Sequence, residues 1–266
     1  MAINRKKLES AFRKARRAKG VSVPASAELA AERIVEPFVM KRWEGAAEAA
    51  LKIVPVGDYI ADVSQRQISK AINKIYRSYS GLTSLDRKLK AAYERGNEEH
   101  KARYLYEMER ALGVDATSLL KEERARKDVQ KRLKASIDLI VTLEEDLKVR
   151  LAREIWNGVS IGENRGALRR FILERKAGYP SWRAKLIARD QTAKLFSNLS
   201  QTRQEDLGIE RYIWRTVGDG AVRDSHYELR DLTFEWSKPP DVGHPGEDIQ
   251  CRCVADPDTS SAKFLQ

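Results

Sequence analysis

The sequence predicts a mainly α protein with a small β-rich C-terminal module, an α+β arrangement preceded by an extended helical N-terminal arm. Apolar residues recur at helical spacing as far as Gly208, whereas Tyr212, Trp214 and Thr216, and then Leu232, Phe234 and Trp236, alternate as strand residues do. Residues with chemistry concentrate in the same place: both cysteines and two of the three histidines lie between Trp214 and Pro257.

Each helix can be justified in turn. Ile3, Leu8, Phe12 and Ala15 give a thin apolar stripe to a basic helix that Gly20 should stop, one that is marginal without a partner. The Ala- and Glu-rich segment 26–53 favours helix, with Pro37 expected to bend or split it before Pro55 and Gly57 end it. Ile60, Val63, Ile68, Ala71, Ile72, Ile75 and Tyr79 mark one face of the next helix, closed by Gly81. Thr83 with Asp86 resembles a capping box that opens a further helix through Leu85, Leu89, Ala92 and Tyr93 to Gly113. Asp115 is the expected cap of the longest helix, amphipathic from Leu133 through Ile140 and Leu147 to Ile155, with Gly158 as its stop. Ala167–Leu173 is a short helical piece, and Tyr179-Pro180-Ser181 is a turn that caps the next helix. In that helix Ala188, Thr192, Leu195 and Leu199 form a stripe, and Gly208 ends it. Trp43, Tyr76, Tyr104 and Tyr106 read as core or partner-facing residues, and His100, in a charged run, as surface.

A chain of 266 residues with 42% apolar content has room for one large domain or two modest ones. No apolar run reaches the roughly 18 residues of a membrane span and none follows the basic N-terminus as in a signal peptide, so a soluble cytoplasmic protein is expected. Cys251 and Cys253, one residue apart, cannot build a disulfide framework, which fits a reducing compartment. The net charge of +11 is concentrated: Arg5, Lys6, Lys7, Arg13, Lys14, Arg16, Arg17 and Lys19 face only Glu9 within residues 1–20. Such a segment suits a phosphate backbone or another acidic partner. The predicted layout is a basic arm over 1–22, a helical arm region over 23–126, a compact domain over 127–257 and a flexible tail over 258–266.

The run Leu186–Lys194, the stretch Gly208–Thr216, Asp219, Val222-Arg223, Ser225-His226, Phe234, His244-Pro245-Gly246-Glu247-Asp248 and the closing Cys251-Arg252-Cys253 resemble, in order and spacing, the phage Mu F-like head morphogenesis family. The resemblance covers roughly residues 130–257. Where that family commonly carries glycine after the histidine turn, this chain has Arg230-Asp231, and aspartate tolerates a left-handed backbone better than most residues. The resemblance implies a minor head protein of a tailed bacteriophage, inside the capsid near the portal and in the host cytoplasm during assembly. It would contact portal protein, possibly major capsid protein, and phage DNA through the basic arm. It would need neither membrane nor small-molecule substrate and would not be an enzyme. Alternatives are a DNA-associated internal protein ejected with the genome, and a nuclease or transferase built on Asp219, His226 and Cys251 or Cys253.

His226, His244, Cys251 and Cys253 supply the imidazoles and thiols that a tetrahedral zinc would take. Against zinc stands the spacing, because structural sites usually draw paired cysteines from a Cys-x2-4-Cys turn, and a strand with one intervening residue separates the sulfurs awkwardly. These residues therefore read as a hydrogen-bonded structural cluster, with no metal ligand assigned and no cofactor expected. Arg189, Arg223 and Arg252 read as internal partners of Asp190, Asp219 or Asp248, or as a grip on an acidic partner.

Overall fold

The computed structural model describes residues 5–13, 17–55, 63–77, 80–113, 115–175 and 177–262. Ile3, Lys14, Ala15, Arg16, Gly57, Ile60 and Tyr79, which entered the sequence reading, lie outside them. The elements are α1 (Arg5–Arg13), α2 (Ala25–Leu51), α3 (Gln65–Tyr76), α4 (Ser80–Leu112), α5 (Glu122–Ser160), α6 (Arg165–Arg170), α7 (Gly178–Asp206), β1 (Arg211–Arg215), α8 (Asp224–Tyr227), β2 (Thr233–Glu235) and β3 (Val254–Pro257). The chain is mainly helical with a small antiparallel sheet near its C-terminus, as the change of period predicts. No described helix is long and apolar enough to cross a membrane.

Two compact units share the chain: residues 30–89 with 134–188, and residues 1–29 with 90–133 and 189–266. The boundaries fall inside α2, α4, α5 and α7, so the stretch 127–257 contributes to both units.

In the first of these units Val35, Val39 and Trp43 of α2, Ile68, Ile72 and Tyr76 of α3, and Ile140, Leu147, Leu151 and Ile155 of α5 are buried. Burial of this order outweighs the single backbone bond that Pro37 removes, and α2 stays one helix instead of splitting. Ser64 caps α3 through a reciprocal bond with Gln67. Thr83 and Asp86, by contrast, sit inside α4, which begins at Ser80. Gly158 does not stop α5: the helix runs to Ser160, and the glycine admits Leu168, whose Cδ2 would lie 2.1 Å from an added Cβ.

The second unit carries the sheet. Phe12 and Ala18 of the basic segment are buried with Tyr104, Met108 and Leu112 of α4, with Phe196 of α7 and with Leu207 just after it. Phe12, the member of the thin stripe whose side chain is described, thus finds its partners within the same unit. Gly20 acts by close approach: an added Cβ would stand 2.5 Å from the Ala255 carbonyl oxygen of β3. Its N–H donates to Asp256 at 2.8 Å. Asp115 does not cap α5: its carboxylate accepts the Thr117 N–H at 2.8 Å, at the start of a short 3₁₀ turn. The strands order as β2-β1-β3, with Tyr212 opposite Phe234 and Pro257, and Trp214 opposite Ala255. Strand β3 is absent from the alternation because four residues with Pro257 at the end give too short a pattern to read. Part of the segment expected to be a flexible tail is packed, since Ala262 is buried and bridges Ile209.

His100 is the clearest correction. It is fully buried, stacked near Tyr104 and Phe196, because Arg203 and Ser200 of α7 turn toward it. Arg203 Nη1 lies 2.6 Å from His100 Nδ1. A guanidinium can only donate, so Nδ1 accepts and the ring proton sits on Nε2, which donates to Ser200 Oγ at 2.8 Å. Arg203 also donates to the Asn97 side chain at 2.6 Å and to its carbonyl at 3.1 Å. Burial, and then the Arg203 charge, hold the His100 imidazole well below its ordinary 6.5.

This depression sets a pH dependence. As pH falls through about 6.5 the unfolded imidazole takes up a proton that the folded one refuses, so stability present above that pH is lost below it, by up to about 1.4 kcal/mol per pH unit. Burial shifts His244 in the same direction. Urea unfolding of the native chain should therefore lose midpoint between about pH 6.5 and 5, and His100→Gln should flatten that loss. Identical slopes in the two proteins would exclude His100 as the titrating group.

Candidate functional site

The C-terminal module places its polar residues through the hairpin of β1 and β2. Asp231 adopts φ of 66°, the left-handed conformation that glycine would otherwise supply. Its N–H donates to the Trp214 carbonyl at 3.0 Å, and the Trp214 N–H to the Leu232 carbonyl at 2.9 Å. The turn geometry therefore survives the replacement. Between the strands, α8 carries His226 inward, where its ring meets that of Trp214 edge-on with centroids 5.4 Å apart.

The long segment after Trp236 has few ladder bonds and is held by side chains from α7. Gln250 N–H donates to Asp190 Oδ1 at 3.1 Å, and Ser197 Oγ to the Pro245 carbonyl at 2.5 Å. Gln204, fully buried, accepts from the Trp236 indole at 3.1 Å and donates to the Ala255 carbonyl at 3.0 Å. Gly246, at φ of 87°, lets the loop approach α7 so closely that a Cβ would lie 2.9 Å from Ser197 Cβ. The covering face of α7 is thus Asp190, Ala193, Ser197 and Gln204. The apolar stripe of Ala188, Thr192, Leu195 and Leu199 is buried, but the cluster around Trp214 comprises Tyr212, Trp236, Cys251, Cys253 and Ala255.

Three of the four metal-capable residues converge. His226, Cys251 and Cys253 are all buried, with donor atoms within 4.8 Å of one another. His226 Nδ1 lies 3.4 Å from Cys251 Sγ and 3.6 Å from Cys253 Sγ. The cysteines do not share a strand face, as the sequence suggests, but lie in the loop just before β3, where both sulfurs reach one imidazole. The backbone N–H groups of Gly246 and Cys253 each approach Cys251 Sγ at 3.4 Å. The Cys253 thiol donates to Cys251, and this bond more than any other holds the Cys251 thiol below its ordinary range and pushes Cys253 up. On its far side, His226 Nε2 faces Asp248 Oδ2 at 3.5 Å.

His244 belongs elsewhere. Its Nδ1 is 2.9 Å from the Tyr212 hydroxyl and its ring packs 4.9 Å from that of Trp236, the core role open to it in the sequence. Asp219 does not approach His226: it takes Arg252 Nη2 at 2.6 Å, while Arg223 pairs with Asp248 at 3.2 Å. A catalytic grouping of Asp219 with His226 is therefore corrected, because Asp248 stands beside the imidazole and Asp219 serves the Arg252 guanidinium. A cavity of about 540 Å³ opens beside these residues, lined by Glu28, Arg189, Arg223, Arg252 and the three buried ligand-type residues among others.

Of the basic residues, Lys6, Lys7, Arg17 and Lys19 are exposed, Arg5 and Arg13 lie in α1, and Lys14 and Arg16 fall outside the described residues. Arg17 approaches Asp231 at 3.9 Å and Asp256 at 3.8 Å. The roles of Asp190, Ser197 and Gln204 escape the sequence reading. Their only signal is polar residues recurring at helical spacing on a helix whose other face is apolar.

Because Trp214 closes the module over His226, Trp214→Ala should cost about 3–5 kcal/mol in denaturant unfolding of the full chain. A loss under about 1 kcal/mol would mean that the indole is not part of the core.

Comparison with known proteins agrees with this module. Over its residues 149–256 the chain matches the family model described as Phage Mu protein F like protein. It is also 29% identical over 254 residues to a Haemophilus influenzae protein described as uncharacterized, with 92% of this chain and 56% of that protein aligned. The chain thus spans little more than half the length of that relative. No solved structure matches it. The matched stretch, residues 149–256, includes His226, Cys251 and Cys253.

Proposed function

We propose that the chain is a minor head protein of a tailed bacteriophage, acting in head assembly and in DNA packaging or delivery through contacts near the portal. The observation that carries this reading is the family match over residues 149–256. A relative in a bacterial species is what an integrated phage would leave. In this reading the chain works by contact, not by turnover, with phage portal protein and possibly major capsid protein as partners. It sits in the capsid interior and passes through the host cytoplasm during assembly.

The charge distribution supports DNA as a further partner. Lys6, Lys7 and Lys19 are exposed on a segment whose Phe12 and Ala18 are anchored in the core, so their charge is presented from a fixed base. That anchoring also governs the experiment. Deleting residues 1–20 would strip core side chains and confuse charge with folding, whereas changing the exposed lysines does not.

Quantitative mass spectrometry of purified particles should find the chain in heads at far lower copy than the major capsid protein. Its absence from particles at every stage of assembly would overturn the reading. Replacing Lys6, Lys7 and Lys19 together by Gln should weaken DNA binding and lower the slope of log K against log salt by up to about 2.7, the contribution of three phosphate contacts. An unchanged slope would remove these lysines from DNA contact. Loss of the chain from heads after genome release would identify it as ejected with the DNA.

A further inference from the structure

We propose that His226, Cys251 and Cys253 bind a divalent cation of the zinc class, with Asp248 as the partner that orients the histidine. The site rests on its own geometry and does not depend on a role in the phage head.

The separations carry the proposal. Tetrahedral zinc with bonds of about 2.3 Å to sulfur and about 2.0 Å to nitrogen places an imidazole nitrogen about 3.6 Å from each thiolate. The observed separations from His226 Nδ1 are 3.4 Å and 3.6 Å. One nitrogen within 3.6 Å of two sulfurs is an arrangement into which a shared cation fits without moving the ligands far.

The surroundings point the same way. A neutral thiol is a weak acceptor, yet Cys251 Sγ has the N–H groups of Gly246 and Cys253 directed at it. Donors of that kind suit a thiolate, and a buried thiolate requires a positive partner. The nearby guanidinium groups of Arg223 and Arg252 bond to Asp248 and Asp219. A metal ion at the convergence of the three ligands would supply the charge. Asp248 completes the pattern, since its carboxylate faces the Nε2 side of the ring while Nδ1 faces the sulfurs. A ligating histidine ordinarily gives its second N–H to a carboxylate in this way. His226 Nε2 is buried and makes no hydrogen bond, so a small approach of Asp248, now 3.5 Å away, would satisfy it.

Three protein ligands leave a fourth position. The cavity that touches all three is also lined by Val217, Ala221 and Val222, and has room for a water at that position. The cation would fasten the loop before β3 to α8, two pieces that no ladder bond joins.

The test uses the full chain, reduced and stripped of metal. Titration with cobalt(II) should produce the intense visible bands of a tetrahedral ion and a sulfur-to-cobalt charge-transfer band, saturating at equimolar metal and bleached by zinc. Cys253→Ser should weaken zinc binding more than tenfold and reduce the charge-transfer band. Asp248→Asn should weaken binding about tenfold while keeping that band, the signature of an orienting residue rather than a ligand. Circular dichroism establishes that each variant is folded. The native chain alone suffices to refute the proposal: absence of the cobalt bands from folded, reduced protein overturns it. So does an undiminished charge-transfer band in a folded Cys251→Ser, Cys253→Ser double variant.

Discussion

The buried amide of Gln204 is the contact on which the C-terminal module depends. Its oxygen takes the Trp236 indole and its nitrogen reaches the Ala255 carbonyl, so one side chain of α7 fixes both the exit of β2 and the middle of β3. A three-stranded sheet this small is marginal on its own and needs a helix to rest on. Here that contact is polar as well as apolar. The segment between β2 and β3 has few backbone partners of its own, and Asp190 and Ser197 supply them from the same helix. Loss of any one would leave buried polar groups unsatisfied, which costs more than the bond itself contributes.

The adjoining face of α7 uses the same device differently. Arg203 is buried against a neutral histidine and an asparagine of α4, and burial draws its guanidinium down to about 10. Long-range attraction from Glu122, Glu98 and Asp206 opposes that fall. A cation in such a place fixes the tautomer of His100 and the rotation of α7 about its axis. The rotation in turn decides which residues of α7 face the Cys-Arg-Cys loop. The two networks are therefore one constraint expressed on adjoining faces of a helix.

Much of this was legible in the sequence, and the failures have physical causes. The helices and the two alternating strands follow from periodicity, and the left-handed Asp231 from the conformational tolerance of aspartate. His100 was misread because local charge density reports the exposed face of a helix, while the partner that buries it, Arg203, lies 103 residues away. Likewise Cys251 and Cys253 were judged as strand residues, in which the sulfurs would be badly placed. Pairing actually begins at Val254, and Gln250 at φ of 55° turns the chain just before the cysteines. Spacing in sequence fixes ligand geometry only where the backbone conformation is known. The match of residues 149–256 to a family model says nothing of Gln204 or Arg203, whose roles follow from distances.

Strand β3 joins the two features that would act on partners. At its start stands Cys253, a member of the buried sulfur and imidazole cluster. Along its edge lies the end of the basic segment, with Gly20 against Val254 and Ala255 and its N–H on Asp256. Asp256 also takes Arg215 Nε at 2.8 Å and lies within 3.8 Å of Arg17, so one carboxylate holds the strand, the hairpin and the segment together.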